Sequence, residues 1–173
     1  MHIITDALPI LAPELVARLV GDALAEDWQT CGDVTSQAVI PATAQAHAII
    51  RARDSGVLAG LDLAETAFLA HDSGLTVTRH KADGDALAEG HDVMSIAGPA
   101  HALLSAERVA LNYLGHLSGI ASKTAKLVAL IAHTEAKICD TRKTTPGLRA
   151  VEKYAVRAGG GANHRFGLYD AVL

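Results

Sequence analysis

Apolar side chains recur at helical spacing near the start of the chain. In residues 10–28 they return every three or four positions on one face, and this repeat predicts an amphipathic helix. The residues on that face are Leu11, Leu15, Leu19 and Ala23, with Val16, Val20 and Leu24 beside them. Residues 61–72 predict a second, shorter helix, whereas residues 30–36 predict a loop.

Alternating patterns occupy the segments between and after these two helices. Residues 44–53 place small or apolar side chains at every second position, as expected of a strand with one buried face. The expected inner positions are Ala46, Ala48, Ile50 and Ala52. Residues 75–81 and 91–98 predict two further strands, with a turn at residues 82–85 between them. The first hundred residues therefore predict an α+β domain built in layers.

From Ser105 the pattern changes to one long helical repeat that continues to residue 133. Gly115 and Gly119 lie inside this repeat. Because glycine is a poor helix former, we expect these two positions to divide the helix or to kink it.

The remaining residues predict the beginning of a parallel sheet. Residues 136–141 predict a short strand, a turn follows at 144–147, and 148–158 predict a helix that ends at three glycines. Residues 168–173 predict another apolar strand, which would complete a βαβ unit. A full α/β barrel takes roughly 200–250 residues, and the sequence stops on this strand. We therefore interpret it as the N-terminal part of a longer protein.

Composition is that of a globular protein. Half of the 173 residues are hydrophobic and only 3% are aromatic, which fits helices packed closely on sheets. Cys31 and Cys139 lack metal-binding spacing, so we expect buried or half-buried free thiols in a reducing compartment. The sequence starts without a signal-peptide pattern, and no apolar run approaches ~18 residues. These features predict a cytoplasmic protein with no membrane partner.

Charge is unevenly distributed along the chain. The whole sequence has a net charge of −4, yet residues 140–165 hold six cationic side chains against two carboxylates, a local charge of +4. A nucleic-acid surface needs a basic field that extends across the molecule. The compact cluster therefore favours a small anionic ligand, and we predict no nucleic-acid partner.

Four residues of this region lie in predicted loops where a ligand could bind. Arg142 and Lys143 directly follow the predicted strand at residues 136–141, and parallel α/β proteins place their active sites at the carboxyl ends of strands. A guanidinium can hold a carboxylate through two parallel hydrogen bonds, and an ammonium adds a compact positive charge. His164 and Arg165 follow the three glycines, whose backbone a ligand can approach closely.

The other cations and histidines are given structural interpretations. Arg149, Lys153 and Arg157 recur every four residues and are interpreted as a solvated cationic face of one helix. The remaining histidines are scattered and are interpreted as surface or core residues. No phosphate-loop, dinucleotide-binding or paired-histidine zinc spacing occurs in the sequence.

Three stretches carry a resemblance to a known family. The most specific are DTRKTTPG at residues 140–147 and GGGANHR at residues 159–165, and AERVALNYLGHLSGIAS at residues 106–122 is a third. Over essentially its whole length the sequence resembles the quinolinate phosphoribosyltransferases, also called nicotinate-nucleotide pyrophosphorylases (carboxylating). The resemblance implies an α+β N-terminal open sandwich domain in residues 1–110, followed by the beginning of an α/β barrel in residues 111–173.

The resemblance also implies a reaction and a set of site residues. The family transfers phosphoribosyl from phosphoribosyl pyrophosphate to quinolinate with decarboxylation, giving nicotinate mononucleotide, pyrophosphate and CO2 in NAD biosynthesis. By resemblance, Arg142 and Arg165 hold the quinolinate carboxylates, and Thr141, Lys143 and His164 line the same pocket. Lys143 and His164 are the candidate catalytic residues.

Further implications concern assembly and metal. Arg108 would reach into the site of a partner subunit, in a homodimer with shared active sites or in a higher homo-oligomer. The family uses Mg2+, and its ligands are expected beyond residue 173 together with another substrate-binding lysine and the phosphate-binding loops. No metal ligand is predicted within the sequence, and the 173-residue chain alone is expected to be inactive.

Two alternatives stay open from the sequence. One is a paralogue of the same fold that is associated with molybdenum uptake and shares the TRKT type of block. The other is a non-catalytic binding or dimerisation module that has kept the first half of the fold.

Overall fold

Helices dominate the chain in the computed structural model, which describes residues 8–170 and 172. The described residues form five helices and five strands. In chain order these are α1 (Pro13–Trp28), α2 (Val34–Val39), β1 (Gln45–Arg51), β2 (Gly56–Val57), α3 (Leu61–His71), β3 (Thr76–Arg79), β4 (Ala86–Leu87), β5 (Asp92–Pro99), α4 (Ala100–Leu130) and α5 (Arg149–Ala158).

A three-stranded antiparallel sheet has the order β1-β5-β3. Exposure alternates residue by residue along β1, so the predicted strand and its inner positions are confirmed. In the register of the sheet, Ala48 lies opposite Ile96 and Val77 pairs with Ile96 from the other side. The short strands β2 and β4 form a separate antiparallel pair. Each has only two residues, too few for a period of two to be recognised in the sequence.

The core lies where α3 and α4 pack against each other and against the sheet. Fully buried residues come from each of these elements: Phe68 from α3, Met94 and Ile96 from β5, and Leu117 from α4. Burying one such side chain stabilises the fold by about 1.5–3 kcal/mol. The helix α1 adds its predicted apolar face to α3, which confirms the amphipathic pattern at the start of the chain.

The helix α4 runs unbroken from Ala100 to Leu130, so the predicted division at Gly115 and Gly119 is wrong. Tertiary contacts in the same region explain the difference. The hydroxyl of Ser118 accepts a hydrogen bond from the backbone N–H of Ala59 at 3.0 Å, and Ser122 accepts one from Val57 at 2.8 Å. These contacts hold the middle of the helix against β2 and outweigh the weak propensity of its glycines.

The predicted loop at residues 30–36 is wrong from Val34 onward, where α2 begins. Asp33 caps this helix, because its Oδ1 accepts a hydrogen bond from Ser36 N at 2.9 Å. Its Oδ2 also accepts from the hydroxyl of Ser105 on α4 at 3.1 Å. Hydrogen bonds from Ser36, with a further one from Ser105, lower the pKa of Asp33 below its ordinary value.

The two strands predicted near the C-terminal end are not formed by the described residues. Residues 136–141 contribute a single parallel bridge, from Cys139 to Ala162, and residues 168–170 are bends. The bridge is parallel, which agrees with the predicted βαβ unit. Its second residue, Ala162, however, lies before the second strand predicted at residues 168–173. A strand needs hydrogen-bonded neighbours along its length. Here the pairing is confined to two backbone hydrogen bonds, from Ala162 N to Ile138 O at 2.8 Å and from Asp140 N to Ala162 O at 3.2 Å. Residues 171 and 173 lie outside the described part of the chain.

Three further expectations can be compared with the fold. The predicted helix at residues 148–158 is confirmed as α5, and it ends at Gly159. Cys31 and Cys139 are free, but both are exposed rather than buried. The predicted domain boundary after residue 110 falls inside α4. Across the described residues, no helix is both long and apolar enough to cross a bilayer.

Candidate active site

Two loops meet at the parallel bridge and carry most of the predicted site residues. We call residues 140–147 the TRK loop and residues 159–166 the glycine loop. The TRK loop leads into α5, and the glycine loop leaves it. The bridge from Cys139 to Ala162 therefore places the start of the TRK loop beside the middle of the glycine loop.

A buried lysine lies between these loops. Lys153 on α5 has no exposed surface, and its ammonium donates to Asp140 Oδ1 and to the backbone oxygen of His164, the latter at 2.8 Å. The same ammonium lies 4.8 Å from the centre of the Phe166 ring, within the range of a cation–π contact. The prediction that Lys153 belongs to a solvated face is therefore wrong. The four-residue spacing is real, but this face of α5 is covered by the two loops.

Asp140 joins the TRK loop to the glycine loop. Its Oδ1 accepts a hydrogen bond from the backbone N–H of His164 at 2.9 Å, and its Oδ2 accepts one from the side-chain amide of Asn163. The same amide donates to the backbone oxygen of Lys153 at 2.9 Å. Both oxygens of this carboxylate thus accept hydrogen bonds that hold the loops together.

The predicted residues of the TRK loop lie directly after Asp140. Thr141 and Lys143 are exposed, and the hydroxyl of Thr141 accepts a hydrogen bond from Lys143 N at 3.0 Å. Arg142 is half-buried. Its Nε is buried and, within the described residues, has no hydrogen-bond partner. A buried donor without a partner costs free energy, so this N–H favours the binding of an acceptor.

The predicted residues of the glycine loop lie across the bridge. The His164 side chain is exposed, and its Nδ1 accepts a hydrogen bond from Arg165 N at 2.7 Å. Arg165 is half-buried. The structure thus brings together five of the six predicted site residues, which are Thr141, Arg142, Lys143, His164 and Arg165.

The two arginines of α5, Arg149 and Arg157, are half-buried rather than solvated. Arg149 connects the loops, since its Nε donates to the hydroxyl of Thr144 at 3.1 Å and its Nη1 donates to Phe166 O at 2.9 Å. Arg157 lies at the other end of the helix, beside Gly160 and Gly161. The interpretation of a solvated face is therefore wrong for Arg149, whose guanidinium is bound by both loops.

A second buried carboxylate holds the C-terminal end of the TRK loop. Glu152 Oε2 accepts a hydrogen bond from Thr145 N at 3.1 Å, and its Oε1 lies 2.9 Å from His116 Nε2 on α4. Burial alone would raise the pKa of Glu152, but the hydrogen bonds from Thr145 and His116 outweigh it and lower that pKa. The loop is thus anchored by the Asp140 carboxylate at its start and by the Glu152 carboxylate near its end.

Arg108 lies apart from the two loops. It is exposed on α4 and lines a cleft of about 280 Å³ between α1 and α4, together with Glu26, Asp27 and His116. Leu148, at the start of α5, closes one side of this cleft. None of the other five predicted residues lines this cleft.

Comparison with known proteins identifies the family. The profile of the quinolinate phosphoribosyl transferase N-terminal domain matches residues 33–118, and that of the C-terminal domain matches residues 120–173. The chain belongs to the quinolinate phosphoribosyltransferase family.

Individual relatives agree with this assignment. The chain is 47% identical over 156 residues to a probable nicotinate-nucleotide pyrophosphorylase (carboxylating) of Bacillus subtilis, covering 90% of this chain and 53% of that protein. It is 45% identical over 151 residues to quinolinate phosphoribosyltransferase (decarboxylating) 1 of Nicotiana glauca, covering 87% of this chain and 43% of that protein. The chain thus spans about half the length of the curated relatives it matches.

A solved structure of the family has the same fold. The nicotinate-nucleotide pyrophosphorylase of Francisella tularensis superimposes with a TM-score of 0.90 at 39% identity. The superposition covers 96% of this chain and 59% of that protein. The arrangement of helices and small sheets is therefore that of the family over the matched residues.

The magnesium ion that the family implies does not fit the described residues. Among them, no group of three or more His, Cys, Asp or Glu side chains could hold a metal ion. The two carboxylates nearest the loops, Asp140 and Glu152, already accept hydrogen bonds at both oxygens. A magnesium site would need carboxylate or water oxygens that are free to coordinate.

Proposed function

We propose that this chain is part of an enzyme that transfers phosphoribosyl from phosphoribosyl pyrophosphate to quinolinate and releases pyrophosphate and CO2. The product would be nicotinate mononucleotide, a precursor of NAD. The observation that carries the proposal is the Cys139–Ala162 bridge, which pairs the start of the TRK loop, holding Arg142 and Lys143, with the glycine loop, holding His164 and Arg165. Family membership supplies the reaction, and these cations supply the binding chemistry.

The cation cluster suits the substrate because quinolinate is a pyridine with two adjacent carboxylates. In the proposal, Arg142 and Arg165 each hold one carboxylate through a charge-assisted hydrogen-bonded pair. The buried Nε of Arg142, which lacks a partner in the described chain, gains an acceptor when the ligand binds. Thr141 lines the same pocket. Lys143 and His164 are proposed as the catalytic residues that contact the reacting groups.

The proposed chemistry proceeds in two steps. The pyridine nitrogen forms a bond to the anomeric carbon of ribose while the bond to pyrophosphate breaks, and the pyrophosphate takes the electron pair. The adjacent carboxylate then leaves as CO2, its bonding electrons are stabilised by the pyridinium, and a proton replaces it on the ring carbon. Fixed cations contribute by positioning the reactants and stabilising charge in the transition state.

Other parts of the proposal concern the whole protein. We propose a homodimer, or a higher homo-oligomer, in which Arg108 of one subunit completes the site of the other. We further propose an N-terminal open sandwich in residues 1–110 and the beginning of an α/β barrel in residues 111–173, with α4 shared between them. Mg2+ would be held by residues beyond 173, and a cytoplasmic location stays a prediction.

A turnover assay on the full-length protein tests the function. The protein is incubated with quinolinate, phosphoribosyl pyrophosphate and Mg2+, and nicotinate mononucleotide, pyrophosphate and CO2 are quantified. We expect the three products in equal amounts, and no product when nicotinate replaces quinolinate as the pyridine substrate. Absence of turnover with quinolinate, or turnover with a different anion in its place, would overturn the proposal and favour the paralogue or a non-catalytic module.

A further inference from the structure

The buried ammonium of Lys153 is used entirely to contact the two loops. Its partners are Asp140 at the start of the TRK loop and the backbone oxygen of His164 in the glycine loop, with the ring of Phe166 beside it. The lysine has no exposed surface, and the side chain of Asp140 is 7% exposed. A ligand that binds on the exposed faces of Thr141 and His164 therefore does not reach this ammonium.

The stability of the fold alone is a weak reason for this arrangement. Removing an ammonium and a carboxylate from water costs several kcal/mol for each ion, and their attraction repays this only when the hydrogen bonds are complete. Apolar side chains of similar volume often stabilise such a position equally well or better. What the ion pair adds is a defined direction for each of its hydrogen bonds, and these directions fix the loops.

The peptide groups of His164 are held from both sides by the pair. Asp140 accepts from the N–H of His164 at 2.9 Å, and Lys153 donates to its carbonyl oxygen at 2.8 Å. The backbone on either side of the His164 side chain is therefore oriented by the same ion pair. Arg165 directly follows His164, and Thr141 and Arg142 directly follow Asp140. A shift of the ion pair would therefore move the two loops relative to each other.

We propose that Lys153 is a positioning residue that sets the separation between Arg142 on the TRK loop and Arg165 on the glycine loop. This inference rests on the proposed function, in which the two guanidiniums hold the two carboxylates of one ligand. Because those carboxylates are a fixed distance apart on a rigid ring, the separation of the guanidiniums determines how well both can bind at once. Lys153 thus acts on the reaction through the arginines, without contacting the substrate.

The principal test is the variant Lys153→Met in the full-length protein, with kcat and both KM values measured. A displacement of about 1 Å in a binding group can lower kcat/KM by about 100-fold. We expect a loss of this order that is carried mainly by a higher KM for quinolinate, with a smaller change in the KM for phosphoribosyl pyrophosphate. A merely structural role would lower the folded fraction, and hence the apparent kcat, while both KM values stayed unchanged.

Tyr154→Phe is the matched control for stability. Tyr154 is the next residue on α5 and is also buried, but its hydroxyl donates to Asp83 at 2.7 Å, on the side of the N-terminal domain. Its removal should lower the thermal midpoint and leave the KM for quinolinate unchanged. An equal rise of that KM in Tyr154→Phe and Lys153→Met would mean that loosening α5 in any way is enough, and would overturn the specific role of Lys153.

A double-mutant cycle with Arg165→Ala tests the same idea independently. If Lys153 acts through the arginines, its effect should shrink once the guanidinium of Arg165 has been removed. In the Arg165→Ala background, Lys153→Met should lower kcat/KM by less than about 3-fold, because effects within one coupled unit are not additive. A full, additive loss in the double variant would overturn the proposal.

A milder variant keeps the test decisive if Lys153→Met does not fold. Asp140→Asn keeps an oxygen that can accept from His164 N and from Lys153, and it removes the negative charge of the ion pair. We expect a smaller rise in the KM for quinolinate, and an unchanged KM in this variant would overturn the proposal. Lack of turnover by the wild-type protein would instead overturn the proposed function, and this inference with it.

Discussion

His116 Nε2 lies 2.9 Å from Glu152 Oε1, and this contact joins α4 to α5. Glu152 is 9% exposed, and its other oxygen accepts a hydrogen bond from Thr145 N at 3.1 Å. The long helix is thus connected through one carboxylate to the end of the TRK loop. Since Arg142 and Lys143 lie in that loop, Glu152 links α4 to the loop that carries both of them.

The pH dependence of stability should reveal this carboxylate. The pKa of Glu152 is lowered in the folded state from an ordinary value of 4.5, so folding favours its ionised form. Its contribution is present above pH 4.5 and is lost as the pH falls through the lower folded-state pKa. Glu152→Gln should therefore lower the thermal midpoint at pH 7 and reduce the further fall of that midpoint between pH 5 and pH 3.

Asp92→Asn is a suitable control for this measurement. Asp92 also has a lowered pKa, mainly through its hydrogen bond from Arg51, but it belongs to a solvent-exposed ion pair, and such pairs contribute little to stability. Asp92→Asn should therefore change the thermal midpoint far less than Glu152→Gln does. If Glu152→Gln and wild type lost stability in parallel as the pH fell, the role given to Glu152 would be wrong.

A pair of glycine substitutions tests the packing of α5 on α4. A Cβ on Gly159 would collide with the backbone oxygen of Ala121 and would lie 2.8 Å from Thr124 Cβ, both on α4. Gly159→Ala should therefore destabilise the protein by about 1–3 kcal/mol. At Gly119, inside α4, a Cβ would meet no atom within 4 Å.

Gly119→Ala should accordingly stabilise the protein by about 0.5–1 kcal/mol, because alanine is the better helix former. The two variants make the same chemical change, and only their surroundings differ. Thermal midpoints that move in opposite directions would agree with the packing. A lower midpoint for Gly119→Ala would contradict this packing, because it would mean that a methyl group does not fit at Gly119.

Periodicity predicted most of the fold because the responsible contacts are local. The face of α1, the alternation of β1 and the helix α5 all follow from spacings of a few residues. The continuity of α4 could not be predicted in this way. It depends on hydrogen bonds that the hydroxyls of Ser118 and Ser122 accept from Ala59 N and Val57 N, some sixty positions earlier in the chain, and such contacts leave no periodic signal.

The site was only partly predictable for a similar reason. The motifs identified the ligand-binding candidates in the loops, of which Arg142 and Arg165 are examples, because loop residues beside glycine and threonine have a distinct local composition. The buried anchors Lys153 and Asp140 were missed, since a cation at four-residue spacing on a helix normally faces solvent. Only the packing of both loops over α5 makes that face interior.

Mixing of inactive variants tests the shared site. Arg108 lies outside the cluster of loop residues within one chain, and the proposal places it in the partner's site. Full-length Arg108→Ala and Arg142→Ala should each be inactive, whereas a mixed dimer would contain one intact site and recover part of the activity. The recovered turnover is measured after the subunits have exchanged, and exchange is verified with differently tagged copies. Failure of exchanged dimers to recover activity would exclude the shared site.

The assignment of Arg142 and Arg165 to the quinolinate carboxylates is tested most directly by calorimetric titration of the full-length protein with quinolinate. Arg142→Ala and Arg165→Ala should each weaken binding by about 1.5–3 kcal/mol, the cost of a lost hydrogen bond to a charged group. Arg18→Ala is the control, because Arg18 forms an exposed pair with Asp22 on α1, and it should bind as the wild type does. Wild-type affinity in both Arg142→Ala and Arg165→Ala would contradict the assignment.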